Sequence, residues 1–585
     1  MYLEKINGPA DLKKLNIDEL PELAEEMRGA LIENGSICGG HLASNLGIVE
    51  LTIALHYVFN SPADKIIFDV SHQTYCHKML TGRRDAFIIP SEYGSISGYS
   101  NPEESKHDFF CIGHTSTSIS LACGFAKARE LCGNNENIIA VIGDASLDGG
   151  EAFEALNFSE EVYGGLIVVL NDNNMSIPEN HGSLCSKLME LRNHDGDLEN
   201  NYFKSLGFDY IFVKNGHDIK DIIVALRKVK NSGKRVVVHI CTQKGNGYQP
   251  AEQDSEKWHW AHPFDIKTGK FTNNVPSENY GAIAREFLLD KMKTDSKVVV
   301  IAASTPLCIG FDAENRKRAG KQFIDVGIAE QNAITLTAAM AAYGMKPVFA
   351  TNSTFYQRAY DQIEQELCIN QCAATMIVTH ASVFGHTNVT HHGLLDIALL
   401  GNIPGLKYLA PVNKQEYLAM LEWSIDQDIE PVAIRVPWTG VTNTDYEVGN
   451  DYSDNSYKIL QQGSDVAILA LGSFFRLGVE TAKRLEEITG IKATIINPRF
   501  ITGLDMGLLG RLIDFHKVIV TIEDGIIFGG FGSKIAQFYG TRNIKVLNFG
   551  FSMNIPNRYV PADLMEQNGL TSYNIVENII KHLIN

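Results

Sequence analysis

Asp144 closes the apolar run at residues 138–142 (IIAVI) within the segment Gly143-Asp144-Ala145. Asn173 closes a second run at 166–170 (LIVVL), with Met175 two residues further on. Both runs read as buried strands, and open α/β sheets gather ligands beyond the carboxyl ends of their strands. A carboxylate and an amide oxygen at neighbouring strand ends are hard donors. They suit a divalent cation such as Mg²⁺, which prefers octahedral oxygen ligation and is usually shared with phosphate. Gly149-Gly150 opens a helical pattern whose first N–H groups and positive dipole end suit the same phosphates. A plainer arrangement uses these residues as punctuation, with Asp144 capping a helix and Asn173 in an Asx turn. Two strand-end donors at this spacing favour the metal.

The elements that hold such a site alternate along the chain. Strands are expected at 138–142, 166–170 and 236–240, with a helix near 150–158. After a polar stretch at 263–279, strands are expected at 298–302, 347–350, 375–378, 406–410 and 432–436, with helices at 330–342 and 355–369. A second polar stretch, 439–456, precedes strands at 466–470, 493–496, 518–521 and 545–548. Short β-branched runs separated by helical stretches imply βαβ units. The fold class is therefore α/β: three consecutive α/β domains with mostly parallel sheets, placed at 1–270, 278–440 and 455–585.

The 585 residues carry 51 Lys+Arg against 69 Asp+Glu, a formal charge of −18. An acidic chain without a basic block is poorly suited to nucleic acid or an anionic membrane, so neither is expected as a partner. No apolar run approaches the length of a membrane span. The first twenty residues lack the apolar core of a secretion signal. Ten cysteines without a CxxC pair argue against zinc ribbons and disulfide scaffolds. A cytoplasmic enzyme that binds small molecules is the expectation.

Longer motifs sharpen it. Gly40-His41-Leu-Ala-Ser44-Asn-Leu-Gly47, Asp69-Val-Ser-His72-Gln-Thr-Tyr-Cys-His77-Lys78, Leu80-Thr-Gly-Arg-Arg-Asp85 and Gly113-His114-Thr-Ser-Thr-Ser118 occur in order. Asp325-Val-Gly-Ile-Ala-Glu330-Gln331, Ser353-Thr-Phe355-Tyr-Gln-Arg358-Ala-Tyr-Asp361 and Thr390-His391-His392-Gly393 follow. With the Asp144/Asn173 pair, this set resembles the 1-deoxy-D-xylulose-5-phosphate synthase family of the transketolase superfamily. The resemblance runs from about residue 40 to 440.

The resemblance implies thiamin diphosphate bound with Mg²⁺ between the first two domains, pyruvate as donor, an aldehyde acceptor and a homodimer. It implies metal ligation by the side chains of Asp144 and Asn173 and the backbone carbonyl of Met175. His72, Gly113, His114, Thr115, Ala145, Ser146, Lys244 and Phe355 would contact the cofactor, with Phe355 against its pyrimidine. Ala145 departs from the family's glycine, which is tolerable if φ there is negative. Glu330 matches the glutamate that hydrogen-bonds the aminopyrimidine ring and thereby activates the thiazolium, while the protein supplies orientation and electrostatics. A plain first-turn Glu is the alternative. Arg358 matches an arginine that meets the donor carboxylate, and a surface ion pair with Asp361 is the alternative. His41, His72 and His391 match histidines able to move protons near neutral pH. His259 is a further candidate, and His392 is assigned a supporting place. A zinc site of His386, His391 and His392 lacks a Cys or carboxylate partner. Lys244 is read either as a site lysine or as an exposed loop residue, and Cys368 and Cys372 as packing.

The pattern fails at the acceptor. The family's acidic–arginine pair reads Thr379-His380, an aspartate reads Thr387, and a tyrosine reads Asn352. In Arg435-Val-Pro-Trp438-Thr439-Gly440, Trp438 replaces the second arginine. Arginine serves phosphate through bidentate charge-assisted bonds, each worth about 1.5–3 kcal/mol. Their loss argues against tight binding of D-glyceraldehyde 3-phosphate. Trp438 and Phe384 suit a less charged acceptor, and a ketose-cleaving transketolase is the other enzyme reading.

Overall fold

The computed structural model describes residues 1–272, 278–383, 388–438, 440–443, 446 and 448–584. Phe384, His386, Thr387 and Thr439 lie outside them. The chain forms two compact units, Met1–Val275 with Gly327–Ala329, and Pro276–Val326 with Glu330–Asn585.

The first unit is built on five strands: β1 (Lys65–Phe68), β2 (Ile138–Gly143), β3 (Leu166–Asp172), β4 (Asp209–Val213) and β5 (Arg235–Cys241). They lie in the order β1-β2-β3-β5-β4, and every pairing is parallel. β2 and β3 are apolar throughout because helices cover both faces of a parallel sheet. The helix Ile219–Val229 shows how such a cover is encoded. Ile219, Ile222, Ile223, Leu226 and Val229 recur at helical spacing and are buried. Asp218 caps the first turn by accepting from Lys220 N and Asp221 N.

The second unit holds two sheets. One comprises β6 (Val298–Ala302), β7 (Phe323–Asp325), β8 (Lys346–Asn352), β9 (Thr375–Ala381), β10 (Lys407–Leu409) and β11 (Val432–Pro437), in the order β10-β11-β9-β8-β6-β7 and all parallel. The other comprises β12 (Lys458–Gln461), β13 (Asp465–Ala470), β14 (Thr494–Asn497), β15 (His516–Ile526) and β16 (Lys545–Phe551), in the order β12-β14-β13-β15-β16. Here β12 alone pairs antiparallel. Arg435 of β11 ties the two sheets: its guanidinium is buried between Asp396 and Asp524 of β15, at 2.6 Å from each. Removing either acid would strand a buried charge.

Each strand expected from the sequence is present, although β9, β15 and β16 run three, five and three residues past the expected ends, and the helices Gly150–Phe158 and Glu330–Ala342 carry the expected bounds. Residues 355–369 differ. In place of one α-helix, Ser353–Ala359 is 3₁₀, Tyr360–Gln362 is a single α turn and Ile363–Cys368 is a π-helix. Tight and wide turns in succession average to nearly the α spacing, so the apolar pattern alone misleads. β1, β4, β7 and β12 have no counterpart in the sequence reading. Among the described residues no helix is long and apolar enough to cross a membrane.

Candidate active site

In the first unit the chemistry-bearing residues collect where β1, β2, β3 and β5 end. Asp144 follows β2 and is 4% exposed. Its carboxylate accepts from the backbone N–H of Asn173 and, at 2.7 Å, from Asn180 Nδ2. Burial and the neighbouring Asp172 charge raise its proton affinity well above the usual carboxylate range. Asp172 is held in the opposite direction by His239 and Arg192, at 2.7 and 3.0 Å. Tyr210 completes the chain with its hydroxyl 2.7 Å from His239 Nδ1.

Part of the plainer reading holds. Asn173 Oδ1 accepts from Met175 N at 3.1 Å, an Asx turn around the left-handed Asn174. Asp144 makes no helix-capping bond. A buried carboxylate disfavoured by its surroundings, beside an amide oxygen with a second lone pair, fits a hard cation. Asp172, His239 and Cys241 also lie close together. Both His239 nitrogens are already engaged there, and burial pushes the Cys241 thiol up to about 12. That cluster is hydrogen-bonded structure.

Asp69, just past β1, organises the neighbouring loop. Its two oxygens accept from Ser116 N and Ser118 N at 2.8 and 2.9 Å, and the Ser146 hydroxyl bonds to the same carboxylate. This fixes Gly113, His114 and Thr115 ahead of the helix Ser118–Cys132. Gly149 lets the next helix approach, because a Cβ there would lie 2.1 Å from Ser116 Oγ. Ala145 begins a 3₁₀ turn and is absent from the residues with positive φ, so a glycine is not needed.

Histidines fill the rest of this edge. The His41 ring lies 4.9 Å from His72, 5.4 Å from His259 and 4.6 Å from Trp260. Asn45 clamps the two loops, donating to the carbonyls of His41 and His72 at 2.6 and 2.8 Å. His72 Nε2 meets Ser44 Oγ at 3.1 Å, and Nδ1 has no hydrogen-bond partner. Burial, then the Lys244 charge, pushes His72 down to about 3. Lys244 is buried, which excludes the exposed-loop reading. Its ammonium donates to the Ser176 carbonyl, and burial pushes it down to about 8.

In the second unit the equivalent edge carries Glu330, Phe355, Arg358, His380, His391 and Trp438. Glu330 begins the helix Glu330–Ala342 and is 3% exposed. Burial raises its pKa against the opposing charge of Arg358, whose Nη1 lies 3.3 Å away. Arg358 thus pairs with Glu330, where the local sequence suggests Asp361. Phe355 and Arg358 share a face because residues three apart eclipse in a 3₁₀ helix. The His391 ring meets Phe355 edge-on at 5.7 Å, and its Nδ1 lies 2.8 Å from Thr390 Oγ1. His392 turns away to Tyr559, and burial pushes it down to about 4. Sequence reasoning overlooked Asp69, Asn45, Asp172 and Asn180. The first two sit inside the quoted motifs, but Asp69's partners and Asn45's bond to His72 are remote in sequence.

The family model described as 1-deoxy-D-xylulose-5-phosphate synthase matches residues 3–199 and 192–242. Those described as the transketolase pyrimidine binding domain and C-terminal domain match 277–441 and 456–575. The chain is 40% identical to a 1-deoxy-D-xylulose-5-phosphate synthase of Alkaliphilus oremlandii over 99% of both chains. It is 38% identical to one of Caldanaerobacter subterraneus subsp. tengcongensis, again over 99% of both. With 1-deoxy-D-xylulose-5-phosphate synthase 1 of Geobacter sulfurreducens it shares 40% over 95% of this chain and 93% of the relative.

Proposed function

The chain belongs to the 1-deoxy-D-xylulose-5-phosphate synthase family and has a transketolase-like fold, and from that premise we propose that it transfers a two-carbon unit from pyruvate to an aldehyde with loss of CO₂. The family's named reaction joins pyruvate to D-glyceraldehyde 3-phosphate and gives 1-deoxy-D-xylulose 5-phosphate. Members use thiamin diphosphate with a divalent metal such as Mg²⁺. When bound, that cofactor supplies a carbon nucleophile and an electron sink.

The chain's own residues prepare the rest. Asp144, Asn173 and the Met175 carbonyl would hold the metal, and the backbone at Gly113, His114, Thr115, Ala145 and Ser146 would receive the diphosphate. Phe355 would pack against the pyrimidine. Glu330 would offer it a carboxyl able to share a proton, and the observation that carries this reading is the buried carboxyl whose proton affinity is raised. His72, pushed down to about 3 by burial, is neutral at pH 7 and too weak a base to move protons there, so it serves as a hydrogen-bonding partner. His41 and His391 would each offer an imidazole for proton transfer, Lys244 would bring positive charge to the diphosphate, and Arg358 would receive the donor carboxylate. The domains run 1–270, 278–440 and 455–585, and the enzyme works as a cytoplasmic homodimer.

Incubation with pyruvate, Mg²⁺, thiamin diphosphate and D-glyceraldehyde 3-phosphate tests the reading, with CO₂ and 1-deoxy-D-xylulose 5-phosphate as the expected products. Pyruvate left unconsumed with every aldehyde offered would overturn it. A second reading keeps the donor half and changes the acceptor. It is supported by His380 and Trp438 standing at the positions of the family's phosphate-gripping arginines.

A further inference from the structure

One short hairpin carries both a metal ligand of the proposed set and a brace on another. After β3 the chain turns at Asn173, and Met175 then forms an antiparallel bridge with Glu179. Ser176 N donates to the Pro178 carbonyl at 2.9 Å and closes the tip. The returning arm brings Asn180 to the end of β2, where its Nδ2 donates to Asp144 Oδ2 at 2.7 Å. A side-chain amide 36 residues away in sequence thus holds one oxygen of the carboxylate.

Asn180 is itself anchored. The Asn180 carbonyl lies 3.6 Å from Cys185 Sγ, and the same sulfur lies 3.4 Å from Asn174 Oδ1. Arg192, on the helix Gly182–Asn193, donates from Nη2 to Asn174 Oδ1 at 3.0 Å, and its Nε lies 3.0 Å from Asp172 Oδ2. Lys244 donates to the Ser176 carbonyl at the tip. Base, tip and returning arm are each tied down, so the amide is presented to Asp144 in a fixed place.

The two oxygens of Asp144 thereby become unequal. With Oδ2 turned to an N–H donor, the carboxylate offers a cation Oδ1 alone. That difference separates two hard metals. Mg²⁺ closes an octahedron of single oxygens at about 2.0–2.1 Å. Ca²⁺ gathers about six to eight oxygens at about 2.3–2.6 Å and readily takes both from one carboxylate. An amide imposes the choice without changing the charge of the site, because it donates while neutral.

We propose that Asn180 is a positioning residue that sets metal choice: by holding Asp144 Oδ2 it confines the carboxylate to one-oxygen ligation and so favours Mg²⁺ over Ca²⁺. The proposal rests on the ligand set given above, Asp144, Asn173 and the Met175 carbonyl, and adds which cation that set prefers.

Calorimetric titration of the full chain with thiamin diphosphate, run in parallel in Mg²⁺ and in Ca²⁺, reads the choice as a ratio of two affinities. A general loss of folded protein lowers both arms alike and leaves the ratio unmoved. The unaltered chain is expected to favour Mg²⁺. Asn180→Leu, which keeps the size and removes the donor, should lower the Mg²⁺-to-Ca²⁺ ratio about tenfold. Asn180→Ala should lower it in the same direction, and Asn180→Gln, which keeps an amide donor, should restore part of it. Equal affinity with either metal in the unaltered chain, or a ratio that neither Asn180→Leu nor Asn180→Ala moves, overturns the proposal. Asp144→Asn tells the two failures apart. If it weakens uptake in both metals while the Asn180 variants leave the ratio intact, the ligand set stands and the role of Asn180 falls. If it changes uptake in neither metal, the ligand set falls and takes the proposal with it.

Discussion

The strand ends of the first sheet and those of β8, β9 and β11 are equivalent places in two parallel sheets, and they are furnished in opposite ways. At the first, Asp144, Asp172, Asp69 and Lys244 are buried polar groups, each braced by a hydrogen-bonding neighbour, with Asn173 half-buried beside them. At the second, Phe355, His380 and Trp438 present ring faces, and the charge is confined to Glu330–Arg358 and the sequestered Arg435. Oxygen and nitrogen donors gather at the edge where the proposed metal and diphosphate would be gripped. At the other edge the fixed positive charge of Arg435 is spent on Asp396 and Asp524. Two parallel sheets of one design thus differ through the side chains past their strand ends.

Four experiments test that contrast. Glu330→Ala should lower pyruvate-dependent CO₂ release about a thousandfold, since a positioned proton donor contributes factors of this order. Near-normal turnover would remove the one charged element that links the aromatic edge to catalysis. Asp144→Asn should weaken Mg²⁺-dependent uptake of thiamin diphosphate by about a hundredfold in a calorimetric titration. Unchanged affinity would mean that the oxygen-rich edge grips nothing.

Lys244 is expected to cost the fold stability. Its proton affinity in the folded chain, about 8, lies below the ordinary 10.5, so the charged form is penalised in the folded state. That penalty is fully present below pH 8 and fades as pH rises toward 10.5, and the gap corresponds to about 3 kcal/mol. Lys244→Met should therefore stabilise the cofactor-free protein at pH 7 in urea melts, with the advantage gone by pH 10.5. A destabilised variant at pH 7 would show that the ammonium–Ser176 bond outweighs burial. The smallest effect is expected from Ala145→Gly, a loss of about 0.5–1 kcal/mol from backbone entropy. A gain in stability would show strain at a position whose φ is negative.

The reach of the sequence differed between the two edges for physical reasons. Asp144 and Asn173 are legible because each terminates a fully apolar strand, and the donor types name a cation class. The Asx turn at Asn173 was legible as well, as the competing description. β1 and β7 were not, because KIIF and FID hold runs of only three and two apolar residues. Asp69 shows a different limit. Its partners, Ser116 and Ser118, are backbone N–H groups 47 and 49 residues away, and a backbone donor has no residue type to read. At the second edge the replacement of two arginines was plain in the letters. The bulge in β9 that turns His380 onto Trp438 was hidden, because register between strands depends on how they pair.

The Glu330–Arg358 contact joins two equilibria. Any anion that draws the guanidinium away removes the charge opposing burial at the carboxyl, so the carboxyl then binds its proton more firmly. By reciprocity, protonating Glu330 must tighten that anion by the same factor. Arrival of a negatively charged donor would thus be registered as proton uptake from a weakly buffered solution, before any carbon bond has changed.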